Sequence, residues 1–208
     1  MHIRLLTVSA LAAAIAVGCT TQQTKMSVAP QTFKPGSASM LANTCAGCHG
    51  TLGDSMGPAT PTIAGLEADY IVEVMEDYKS GERTSTIMTR IAKGYTDDEI
   101  EQMAAFFAAQ PYNGFAQVSG GDSAAMGKKL HDAYCEKCHE DGGKSVEDTP
   151  LAGQWKPYVK YTIMDYLDGH NNPEKKMKKA IDKMVAEHPK MSKAQLAEDL
   201  AHYYASQK

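Results

Sequence analysis

Cys45-Ala46-Gly47-Cys48-His49 and Cys135-Glu136-Lys137-Cys138-His139 are the two stretches whose reading decides the fold. Each is C-x-x-C-H. Two thiols at this spacing can add to the two vinyl groups of a haem, and the next residue sets its imidazole under the iron. Two other chemistries use paired cysteines. A redox disulfide leaves the histidine after each pair unexplained. A single zinc site usually draws its pairs from closer in sequence than these two lie. The spacing therefore predicts two covalently bound haem c groups. Cys45 and Cys48 attach the first and Cys135 and Cys138 the second, with His49 and His139 as one axial ligand of each iron.

The repeat extends outward from the motifs. Ile63-Ala64-Gly65 recurs as Leu151-Ala152-Gly153, Tyr70-Ile71 as Tyr158-Val159, and Asp77-Tyr78 with Gly81 as Asp165-Tyr166 with Gly169, all at one offset. Phe106-Phe107-Ala108-Ala109-Gln110 matches Tyr203-Tyr204-Ala205-Ser206-Gln207. Two tandem domains are expected, 37–114 and 115–208, meeting in the Pro-, Asn-, Ser- and Gly-containing stretch from Pro111 to Gly121. Each reads as helical. A short helix precedes the motif, near Ser37 to Thr44 and Asp122 to Tyr134. A Gly/Pro-rich loop follows it, then a middle helix near Asp69 to Tyr78 and Pro157 to Leu167, then a terminal helix. Thr96-x-x-Glu99 and Ser192-x-x-Gln195 read as capping boxes, with Tyr95/Ile100 and Met191/Leu196 as hydrophobic staples. No segment has the period of a strand set, so the fold class is all-α. Domains this small, with 7% aromatic residues, have thin protein cores, and a porphyrin would supply the apolar centre.

The chain's 208 residues leave room for these two units and little else. Met1 to Gly18 has the form of an export signal: His2 and Arg4, an apolar run from Leu5 to Val17, and a small-residue exit. Ala16-Val17-Gly18-Cys19 resembles a bacterial lipoprotein cleavage box, with Ala16 where that box usually has Leu. Cys19 is the fifth cysteine and has no other assignment, so a lipid anchor is expected there. Residues 19–36, rich in Thr, Gln, Pro and Ser, read as a flexible tether. The expected location is the periplasm, membrane-tethered as a lipoprotein.

An iron held by one histidine needs a second ligand or an open position. There are 12 methionines, and the repeat prunes them. Met88 and Met177 follow His49 and His139 at nearly equal distances and are the expected distal ligands. Met103 and Met191 are the rival pair, but aligning the terminal helices sets Met103 inside its helix and Met191 before its own. Met56 has no counterpart. A thioether opposite an imidazole raises the reduction potential and closes the coordination sphere, which favours electron transfer over substrate binding. No catalytic residue is expected.

The longer strings carry a family resemblance. Ser85-Thr86-Ile87-Met88, Arg90-Ile91-Ala92-Lys93-Gly94-Tyr95, Lys129-Leu130-His131-Asp132, Tyr134-Cys135-Glu136-Lys137-Cys138-His139, Leu151-Ala152-Gly153-Gln154-Trp155, Glu174-Lys175-Lys176-Met177 and Tyr204-Ala205-Ser206-Gln207 resemble the diheme cytochrome subunit of flavocytochrome c sulfide dehydrogenase. The resemblance implies two tandem class I cytochrome c domains. It implies haem ligation by His49 with Met88 and by His139 with Met177. It implies an FAD-containing, sulfide-oxidising flavoprotein as electron donor and another carrier, such as a soluble cytochrome, as acceptor. Pro61-x-Ile63-x-Gly65 resembles the Pro-x-Leu-x-Gly turn of class I cytochromes c, whose proline carbonyl takes the proton of the axial histidine. Pro150-Leu151-Ala152-Gly153 is a shortened version, and Pro58 is the alternative acceptor in the first unit. The chain departs from that subunit in its N-terminal anchor and tether. The flavin partner is not encoded here, since no dinucleotide-binding glycine fingerprint occurs.

Two other functions fit two haems: a stand-alone c4-like shuttle to an oxidase or reductase, and a diheme peroxidase. The peroxidase needs one iron open, against the matched Met88 and Met177. Nucleic acid is not an expected partner at a net charge of −4. Charge is uneven: residues 20–114 hold 11 acidic and 6 basic side chains, residues 115–208 hold 14 of each. The run Lys175, Lys176, Lys178, Lys179, Lys183 reads first as a solvated helix face and second as a dock for an acidic partner.

Overall fold

The computed structural model describes residues 37–145 and 149–207. The expected export signal (1–18), tether (19–36) and Cys19 lie outside the described residues. Those described are helical, with no strand among them, as the sequence patterns require. The first half contains α1 (Ala38–Asn43), α2 (Ala46–His49), α3 (Ala68–Ser80), α4 (Met88–Ile91) and α5 (Asp97–Ala108). The second contains α6 (Gly121–Tyr134), α7 (Glu140–Gly143), α8 (Lys156–Asp168), α9 (Lys175–Glu187) and α10 (Lys193–Ser206). No described helix is long and apolar enough to cross a membrane.

The matched glycines end matched helices. Gly81 caps α3 and Gly169 caps α8, both left-handed, at φ 90° and 75°. Thr96 starts α5 with the complete capping box: its hydroxyl accepts from Glu99 N, and the Glu99 carboxylate accepts from Thr96 N at 2.8 Å. The second box is half made. Ser192 Oγ accepts from Gln195 N at 3.1 Å, but the Gln195 amide donates to Asp199 Oδ1 at 2.8 Å. Asp199 is buried on the same helix and captures the side chain expected to reach back.

Each half has its own core. In the first, Ala42 of α1 meets Ile100, Met103 and Phe107 of α5, flanked by Ile71, Val72 and Met75 of α3. In the second, Leu130 of α6, Val159 and Ile163 of α8, and Met184 of α9 close on Leu196, Leu200, Tyr203 and Tyr204 of α10. Helices α6 and α10 cross so closely at Gly127 that a Cβ there would lie 2.0 Å from the Asp199 carbonyl oxygen. The second half also has a long helix where the first has one short one. Met88–Ile91 runs into a 3₁₀ turn, Ala92–Gly94, whereas Lys175–Glu187 contains no glycine and continues for 13 residues. Burial of Met184 and a 2.7 Å bond from Tyr134 Oη to Glu187 Oε2 hold α9 against α6.

The halves meet along a seam that uses the repeat. Tyr78 and Tyr166, equivalent residues of α3 and α8, both feel the charge of Arg83, whose guanidinium lies 5.5 Å over the Tyr78 ring. Trp155 stacks on Phe115 at 5.0 Å and donates from Nε1 to Ser55 O at 3.0 Å. Asn171 Oδ1 accepts from Thr84 N at 2.7 Å.

Candidate haem sites

The two C-x-x-C-H segments adopt one backbone turn. His49 N donates to Cys45 O at 2.9 Å and Cys48 N to the same oxygen at 3.1 Å; His139 N and Cys138 N donate to Cys135 O at the same two distances. All four thiols are free, with Cys48 and Cys138 exposed. Burial pushes the Cys45 thiol up and the Cys135 thiol to about 11, so both are protonated at neutral pH. Among the described residues, the three-membered group of potential metal ligands is His131, Asp132 and Glu136, and it contains no cysteine. This geometry fits thiols that stand ready for covalent attachment.

The loop after each turn is built twice. Ile63 N and Ala64 N donate to Gly53 O at 2.8 and 3.1 Å, and Gly65 N donates to Phe107 O at 2.9 Å. Leu151 N and Ala152 N donate to Gly143 O at 2.8 and 2.9 Å, and Gly153 N donates to Tyr204 O at 2.8 Å. Gly53 and Gly143, at φ 86° and 85°, press against the terminal-helix rings; a Cβ would lie 2.8 Å from Phe107 and 2.9 Å from Tyr204. Only glycine fits both the left-handed backbone and that approach.

This loop sets the first histidine. His49 Nδ1 lies 2.9 Å from Pro61 O, so Pro61 rather than Pro58 is the acceptor. A carbonyl can only accept, so Nδ1 carries the proton and Nε2 keeps its lone pair. Burial lowers the proton affinity of His49, against the opposing effect of the Pro61 bond. A neutral imidazole with a fixed tautomer is what an iron ligand requires, and the residues present fit a haem. His139 closes its own turn with the same backbone bond to Cys135 O, and Pro150 is fully buried in the matching loop.

The methionines sort by burial. Met103 is 3% exposed inside the first core, Met191 packs on the second, and Met56 is 79% exposed. Met88, the first residue of α4, and Met177, in the first turn of α9, are half-buried and are absent from both cores. They remain the matched pair available for an iron.

Spacing arguments do not single out one group near the second site. His131 is fully buried, with Nδ1 3.0 Å from Tyr204 Oη and Nε2 paired with the Glu136 carboxylate, which also accepts from Gly142 N at 3.3 Å. Cys135 packs against the core cluster that contains Tyr204. The corresponding residues of the first half are Leu41, Ala46 and Phe107. The repeat alignment holds the signal that finds this cluster: three apolar residues aligned with three that hydrogen-bond one another.

The family model "Cytochrome c" matches residues 33–110. The cytochrome subunit of sulfide dehydrogenase from Chlorobaculum tepidum is 46% identical over 83 residues, 40% of this chain and 73% of that protein. The thiosulfate dehydrogenase electron acceptor of Stutzerimonas stutzeri is 33% identical over 141 residues, 61% of this chain; the match spans 64% of that protein, just under two thirds. The solved structure of reduced cytochrome c4 from Pseudomonas stutzeri superposes with a TM-score of 0.69 at 23% identity, covering 84% of this chain and 99% of that one.

Proposed function

This chain belongs to the cytochrome c family, and from that premise we propose that it is a periplasmic diheme electron carrier. It takes electrons from an FAD-containing, sulfide-oxidising flavoprotein and passes them to another carrier, such as a soluble cytochrome. The observation that carries the reading is the duplicated site. Two C-x-x-C-H turns share one hydrogen-bond pattern, and each is matched by a methionine that neither core uses. Cys45, Cys48, Cys135 and Cys138 would hold the two haems, and His49 with Met88, and His139 with Met177, would ligate their irons. Each haem would supply one-electron chemistry. The protein's part is to fix the ligands beforehand: the Pro61 carbonyl pins the His49 tautomer, and a methionine bound to each iron would deny it to peroxide or other substrates.

The flavoprotein donor rests on the strings shared with the sulfide dehydrogenase subunit and on the 46% identity to the Chlorobaculum protein. A second reading has its own support, because the thiosulfate dehydrogenase electron acceptor aligns over more of the chain. That reading is a c4-like shuttle. One rapid-mixing experiment separates them. The oxidised protein is mixed with sulfide plus a flavoprotein sulfide dehydrogenase, and separately with thiosulfate plus a thiosulfate dehydrogenase. Fast reduction in the first mixture alone is expected. Fast reduction in the second alone replaces the donor, and peroxide turnover by the isolated chain overturns the carrier reading. The lipid anchor is tested apart: Cys19→Ser should release the protein from the membrane fraction or block its processing.

A further inference from the structure

Thr62 is 1% exposed and follows directly on Pro61. Its backbone is gripped on both sides by one side chain of the other half: Thr62 N donates to Gln154 Oε1 at 3.0 Å, and Gln154 Nε2 donates to Thr62 O at 2.9 Å. Gln154 is itself 4% exposed and held by its own backbone, its carbonyl accepting from Gln117 Nε2 at 2.8 Å and its Oε1 from Trp155 N at 3.1 Å. The Thr62 N–H and the Pro61 C=O belong to one peptide unit. The atoms therefore form a continuous chain: His49 Nδ1–H to Pro61 O, across the amide, and Thr62 N–H to Gln154 Oε1.

We propose that Gln154, from the second half, is a positioning residue that tunes the first haem site through the Pro61–Thr62 peptide. The proposal rests on His49 being an axial ligand. The peptide C–N bond is conjugated, so a hydrogen bond accepted from its N–H draws electron density toward its oxygen. Hydrogen bonds in series polarise one another, and a buried chain is not screened by water. The Pro61 oxygen becomes a better acceptor, His49 becomes a more electron-rich ligand, and the oxidised iron is favoured. The repeat position of Gln154 in the first half is Leu66, a buried residue with no side-chain amide to offer, so this clamp is not repeated on the second loop. What the first half places there is a different contact, Tyr112 Oη donating to Ala152 O at 3.0 Å.

The test is spectroelectrochemical titration of the full diheme protein, with the two haems told apart by their haem-methyl NMR signals. Gln154→Met keeps the reach of the side chain without its amide, and Gln154→Leu copies Leu66. Both should raise the potential of the first haem. The reduced-to-oxidised ratio at a fixed applied potential should grow by up to about tenfold, which is 59 mV for one electron. The second haem should stay in place, and the Thr62 amide should lose protection from hydrogen exchange. Trp155→Phe is the control. It removes the Nε1 bond to Ser55 O in the same seam and leaves the Thr62 clamp intact, so it should not move the first potential. An unmoved first haem in both Gln154 variants overturns the proposal. So does a shift of equal size in both haems, or the same shift in Trp155→Phe, either of which marks Gln154 as seam adhesive only. A wild-type protein whose mass lacks the first haem overturns the reading of the site itself, and mass alone distinguishes that case.

Discussion

The first and second haem sites share a backbone and differ in what surrounds it. In both, a glycine at the foot of the loop accepts two bonds, a second glycine donates to the terminal helix, and a ring covers the first glycine. Around the first turn stand Leu41, Ala46 and Phe107; around the second stand His131, Glu136 and Tyr204, with His131 hydrogen-bonded to the other two. Duplication has kept the parts that fix backbone geometry, where only glycine fits, and let the side chains that set polarity diverge. Two irons in one chain thus sit in unlike fields, which two identical domains could not provide. A potential difference between them is what gives an electron carrier a direction.

The comparison extends to stability, where the largest effect is expected. Among the described residues, the first core cluster has four buried side chains, one of them an alanine; the second has ten, two of them alanines, on four helices. With so few large groups of its own, the first half depends on a bound porphyrin for its apolar centre. Cys45→Ser with Cys48→Ser should strip the first haem and leave α1, α3 and α5 unprotected in hydrogen–deuterium exchange. Cys135→Ser with Cys138→Ser should strip the second yet leave the α6–α10 pair largely protected. Equal loss in both halves would erase this part of the contrast.

A smaller effect is expected on the distal side. Met88→Ala and Met177→Ala should each remove half of the weak far-red methionine-to-iron band of the oxidised protein, without loss of covalent haem. If Met103→Ala or Met191→Ala removed it instead, the two halves would have been paired in the wrong register. Met103→Ala should instead destabilise the first half by about 2–5 kcal/mol, as a core truncation does, and leave the band in place.

Much of this was legible in the sequence, for identifiable reasons. The C-x-x-C-H turns, the Gly81 and Gly169 caps and the Thr96 box are local, and the residues that make them lie within a few positions of one another. Pro61 was legible as an acceptor only through its likeness to a known turn, because its partner lies 12 residues away. What the sequence concealed is tertiary. Nothing local says that Gln195 will bond Asp199 rather than its own cap, that Gln154 will clamp Thr62 some 92 residues distant, or that Tyr78 and Tyr166 will meet at Arg83. His131 stands within a family string but carries no signal of its own, because a lone histidine on a helix signals nothing until its neighbours are known.

The smallest expected effect tests that histidine's partner. Its bond to His131, with help from Gly142 N–H, holds the Glu136 carboxyl below the usual carboxylate range. A carboxyl whose affinity for protons is lower folded than unfolded adds stability above its unfolded pKa, about 4.3 for glutamate, and that stability disappears as pH falls through the folded value. The first half has Ala46 at this position and gains nothing there. Glu136 is 43% exposed, so the contribution is screened and should not exceed about 1 kcal/mol. Glu136→Gln should therefore be slightly less stable than wild type in urea at pH 6, with exchange in α6 and α10 reporting the loss and α1 and α5 unaffected. The difference should shrink as pH falls below the unfolded value of about 4.3 and close once pH has passed through the lower folded one. Glu198 is held low as well, by Lys160 first and His202 after it, but it is present in both proteins and cancels in their difference. A gap that persisted unchanged at low pH would mean that Glu136 contributes packing rather than charge, and the second site would then owe its distinct field to His131 and Tyr204 alone.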